Sequence, residues 1–199
     1  MSLIRPTAFV LLVLVSFCCT VVAQRPGPQF RRPLACEPLE PRTKLEAVDW
    51  RYERVLIKGF SQIATLNARG ADIRVDAVEL KEVDSATRAI GLVIALRESG
   101  ENPRENRSFI DYEEVDRLLR ALDAISKVNE SVTKLPGFEA RYRTLGDLEF
   151  SVFRQSRSGI AASVSAGTCD RVTGLLTLDE LDRLKAHIVE AKTRLDEIK

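Results

Sequence analysis

A chain of 199 residues is the length of one domain or two small ones. It carries 30 lysines and arginines against 29 acids, and once the leader containing Arg5 is set aside the two signs balance at 29 each. That balance excludes a general basic excess of the kind that supplies most nucleic-acid affinity, leaving room only for a local patch.

Met1 to Ala23 reads as a secretory signal. Arg5 is its positive end, Ala8 to Val15 is mostly apolar, and Val21-Val22-Ala23 offers small residues for cleavage before Gln24. The apolar run is short for a membrane span, and Phe17 before Cys18 argues against lipidation. The chain is therefore expected to be exported, to a periplasm or the exterior, with no span after cleavage. Cys36 and Cys169 then remain, and an oxidising compartment would allow them to pair. Two separate thiols are the alternative.

Residues 24–44 form a linker with five of the eight prolines, and they are expected to be extended or disordered. The first unit, 45–130, opens with Val48, Trp50 and Tyr52 alternating with charged residues, which reads as strand. Val55, Ile57 and Phe60 follow, with Gly59 a bend or bulge. Gly70 turns the chain, and Ile73, Val75 and Ala77 continue as the next strand. Asp84-Ser85 turns it again, and Ile90 to Leu96 is a central strand. Ser99 to Arg107 reads as an exposed loop.

A helix then begins at Ile110-Asp111-Tyr112-Glu113-Glu114-Val115-Asp116-Arg117-Leu118. The same pattern returns as Leu176-Thr177-Leu178-Asp179-Glu180-Leu181-Asp182-Arg183-Leu184. Asp111-x-x-Glu114 and Thr177-x-x-Glu180 both have the spacing of a capping box. Val115, Leu118, Leu119, Leu122 and Ile125 make one apolar face. Leu181, Leu184, Ile188, Ala191, Leu195 and Ile198 make the other. Core packing is the plain use of both stripes, and a protein partner or homo-oligomer through the second helix is the alternative. Between the helices, 131–199 starts with the connector to Gly137. Strands follow around Phe138 to Tyr142, Leu148 to Val152, Ile160 to Val164 and Val172 to Leu176.

The fold class is thus α+β: a duplicated unit of three or four antiparallel strands followed by one helix. Each half is too small to bury both its sheet and its helix well, so the two should share one core. This duplicated order, with Leu148 to Val152, Ile160 to Val164 and Gly174-Leu175-Leu176-Thr177-Leu178 opening a helix, resembles the Whirly-like fold. That fold includes single-stranded-DNA-binding domains of the positive-cofactor-four type. The resemblance implies a basic, aromatic strand face that meets nucleic acid, whereas charge here is balanced and aromatics are few. The whole chain also resembles a group of exported bacterial proteins, a similarity that implies no activity.

Catalytic sets are hard to assemble from these residues. The one histidine, His187, lies in the second helix. Cys36 and Cys169 make no metal motif, and no phosphate-cradling glycine loop is present. No cofactor or metal is expected. Arg141, Arg143, Arg154 and Arg157 would bind an anion if they shared one strand face. Cys169 would be the nucleophile of a thiol enzyme or hydrolase if a base stood beside it. The leading expectation is a non-enzymatic exported binding or interaction domain. Nucleic-acid or polyanion binding and the thiol enzyme are the alternatives.

Overall fold

The computed structural model describes residues 40–155 and 159–199, which include no helix long and apolar enough to cross a membrane. The leader and most of the linker lie outside them. A short helix α1 (Lys44–Asp49) precedes four strands, β1 (Leu56–Ala68), β2 (Ala71–Glu82), β3 (Arg88–Glu98) and β4 (Glu105–Asp111), and the helix α2 (Tyr112–Ser126). The second unit repeats the order with β5 (Glu139–Arg143), β6 (Leu148–Gln155), β7 (Gly159–Ala166), β8 (Val172–Leu176) and α3 (Leu178–Asp196). Each set of four strands is an antiparallel sheet in chain order. The α+β duplication is therefore present, with four strands in each unit.

One core serves both units. Ile73, Val75, Leu92, Ile94 and Ile110 from the first sheet meet Phe150, Val152, Ala162, Val164 and Leu176 from the second. The stripes of α2 and α3 lie among them. Tyr112 and Leu178, the first residues of their helices, are equivalent: both are partly buried against this core. The helices are not confined to their own sheets. α3 lies mainly across β1, β2 and β3, while α2 is shared between β3 and β4 on one side and β5 and β6 on the other. Lys192 of α3 reaches Asp116 of α2 at 3.8 Å, and the Tyr112 hydroxyl donates to Asp196. At the seam between sheets, Arg69 and Leu175 exchange backbone hydrogen bonds of 3.0 and 2.9 Å.

Four sequence expectations are corrected. The Val48 to Tyr52 alternation is not a strand. α1 occupies its start, because Thr43 and Glu46 form a reciprocal capping box. Order thus begins before the expected end of the linker: the Arg42 guanidinium pairs with Asp147 at 2.7 Å. The β1 bulge is at Ile63, between Gln62 and Ala64, and not at Gly59. The extra residue restores the inward phase, so that Ala64 faces Val75 and Leu66 faces Ile73 across the ladder. The expected loop Ser99 to Arg107 ends early, since β4 starts at Glu105. Its polar residues pair with Arg97, Leu96 and Ala95.

The fourth correction concerns the first capping box, which does not form. Asp111 is the residue before α2 but makes no side-chain bond to it. Its carboxylate instead accepts the Lys44 N–H at 2.8 Å and the Leu45 N–H at 3.0 Å, so it caps α1, a helix lying far back in the chain. Glu114 turns away too, accepting the Leu145 N–H at 3.0 Å. In the second copy Thr177 and Glu180 keep the reciprocal pair at 3.2 and 2.8 Å. The repeat is the same, but in the first unit its polar groups serve α1 and the β5–β6 turn.

α1 breaks the symmetry of the outer faces. Leu45 and Val48 cover Val78, Leu80, Val93 and Phe109 on the first sheet. By register, Phe153, Ser163 and Leu175 hold the places of Val78, Val93 and Phe109 on the second. No helix covers them among the described residues, and serine replaces a buried valine.

Burial without a second partner raises the pKa of Glu114 above its ordinary value near 4.5; the backbone N–H of Leu145 only partly offsets this. The folded protein therefore holds that proton more tightly than the unfolded chain. Glu114 should favour folding most below the unfolded pKa and lose that contribution as pH rises through the folded one. Denaturation curves of wild type and Glu114→Gln across pH 4 to 8 check this. The stability difference is expected to move toward the wild type as pH falls, and a difference independent of pH would contradict the assignment.

Candidate interaction surface

The first half of β1 is unlike any other strand. Ile57 to Gln62 are exposed in one continuous run, held by β2 along a single edge. Phe60 is 70% exposed, and Tyr52 in the preceding loop is 89% exposed. Val55 and Val83 are exposed as well, and the Val83 N–H donates to the Val55 carbonyl at 3.0 Å, extending the ladder by one step. By register Ile57 and Phe60 point to opposite faces, so what they share is the open edge of the strand.

Charge sharpens the contrast. Only Lys58 is charged among the 13 residues of β1, in a chain where 30% of residues are charged. The other outer edge, β5, is guarded as edges usually are: it has 5 residues, and Glu139, Arg141 and Arg143 occupy alternate positions. β4 and β8 face the opposite unit, with Gly146 pressed on Phe109 and Arg69 bonded to Leu175. Among the described residues, the first half of β1 is the outer edge with a single charge, Lys58, and no strand paired along it.

A shallow groove of about 250 Å³ runs beside it, between β1 and the end of α3. Gly59 leaves this space open, and Ala77, Leu195 and Ile198 line it. Its rim is internally neutralised. Arg88 donates to Glu79 at 2.6 Å, and that guanidinium holds the Glu79 carboxyl below its usual range. At the strand's beginning, Glu82 accepts from the Ser85 hydroxyl at 2.6 Å and pairs with Arg51 at 2.9 Å. These contacts, the hydroxyl foremost, lower its pKa.

The arginines singled out in the sequence do not gather. Arg141 and Arg143 stand on the face of the second sheet that carries Ser151 and Glu149, whereas Arg154, three residues beyond Ser151, points to the other. Each has a carboxylate: Glu149 at 4.0 Å, Asp147 at 2.7 Å and Glu130 at 3.2 Å respectively. Arg157 lies outside the described residues. Cys169 is exposed in the β7–β8 loop, and the Cys36–Cys169 pairing falls outside the description because Cys36 does. His187 is partly exposed on α3 with Glu190 at 3.9 Å. Leu181, Leu184, Ile188, Ala191 and Leu195 are buried in the core, so a partner on α3 would meet its exposed face, where Val189 is the large apolar residue.

The β1 surface was missed in the sequence because its apolar residues look like any half-buried strand. The available signal was the near absence of charge over thirteen residues beside two aromatics. No protein-family model matches the chain, and no curated protein matches it.

Proposed function

We propose that this protein is a non-enzymatic binding domain whose partner meets the open edge and apolar side chains of β1. Export, supported by the leader-like residues 1–23, would place that partner outside the cytoplasm. One observation carries the reading: among the described residues, the outer edge of β1 from Ile57 to Gln62 has no paired strand, a single charge, and the exposed Ile57 and Phe60. Backbone pairing supplies affinity in such strand additions, and flanking side chains supply selectivity. The matched arginine–carboxylate pairs lend less support to a polyanion partner.

A photo-crosslinking residue placed at Phe60 in the producing cell tests this. The expected product is a discrete adduct with a polypeptide, absent when the same residue replaces Val189, which is exposed on α3. No adduct at position 60, or equal labelling at both positions, would refute the proposal.

A further inference from the structure

We infer that the occupant of the β1 edge is β1 of a second copy of this chain, paired antiparallel about a two-fold axis. The inference rests on the interaction reading above. An antiparallel strand paired with itself is self-complementary, and it gives the closed two-fold arrangement that most homo-oligomers adopt.

The pattern of β1 suits this. Because Lys58 is its only charge, self-pairing is repulsive in just one register, with Lys58 opposite itself. Moving the axis one residue, to Gly59, sets Lys58 opposite the partner subunit's Phe60, an ammonium beside an aromatic ring. Ile57 then stands opposite the partner subunit's Ser61 and diagonal to the partner subunit's Gly59. That glycine opens the groove of about 250 Å³ described above, so each copy offers an apolar side chain where the other has a space. Neither copy carries a net charge large enough to oppose association, the whole chain having +1. A half-strand with a few apolar anchors makes a small interface, so the dimer should be reversible.

Sedimentation equilibrium of the purified chain is the test, read with the crosslinking at Phe60. At ~100 µM chain a dimer is expected. Ile57→Lys and Phe60→Lys should each weaken it at least tenfold while leaving the circular dichroism melt of the dilute monomer unchanged, because both side chains are exposed there. Val189→Lys should leave the dimer intact. A monomer at that concentration, or a dimer indifferent to both β1 variants, overturns the inference. If the Phe60 crosslinker still captures a different polypeptide, the interaction reading stands without the dimer. If it captures nothing, both fall.

Discussion

Gly91→Ala is expected to cost ~3 kcal/mol or more, the upper end for forcing atoms into a filled core. A Cβ there would lie 2.1 Å from the Ile110 carbonyl oxygen, 2.7 Å from Leu45 Cδ1 and 3.1 Å from Asp111 Cα. Two of those neighbours are backbone of β4, which is held in register with β3 and cannot swing aside. The third is the side chain by which α1 grips the sheet. The damage should thus spread from β3 to β4 and α1 together. Urea denaturation measures it, and a loss below ~1 kcal/mol would show that the sheet accommodates the methyl group. By register Ala161 is the equivalent residue of the second sheet, where α1 has no counterpart among the described residues.

Asp111→Ala should be the next most damaging, at ~2–3 kcal/mol. It leaves the Lys44 and Leu45 N–H groups without their acceptor. It also loosens the helix that covers Val78, Leu80, Val93 and Phe109. Thr177→Ala, at the matching position of the repeat, should cost only ~1 kcal/mol, the usual loss for an exposed cap. Chemical denaturation of the two variants side by side, with hydrogen exchange in α1, checks the asymmetry. Equal losses, or unchanged exchange in α1 of the Asp111 variant, would mean that Asp111 does not act across the molecule.

The same two residues show what could be read in advance. The Asp-Arg-Leu repeat announced α2 and α3 correctly, because apolar spacing over four or more turns is a strong local signal. It could not announce where Asp111 bonds, since its acceptor role is set by a helix that tertiary folding brings to it. α1 itself has 6 residues, too few for a periodic pattern, and its Thr43-x-x-Glu46 signature lies directly after the prolines of the linker. β4 was partly hidden because Glu105, Asn106 and Arg107 are polar, and burial begins only at Ser108. The arginine group failed for a simple geometric reason. Arg141 and Arg143 lie on one strand two residues apart, but Arg154 reaches the opposite face once β5 and β6 are set in register.

The crossing of α3 onto the first sheet has a consequence for the order in which the molecule can be assembled. The helix that lies across β1, β2 and β3 follows every other described element in chain order. During synthesis the inner face of β1 and β2 therefore waits for the nineteen-residue α3, while α1 and α2 already meet the rest of the first sheet. Removing α3 takes Leu181, Leu184, Ile188, Ala191 and Leu195 out of the shared core, so the two sheets should gain their final packing together and late.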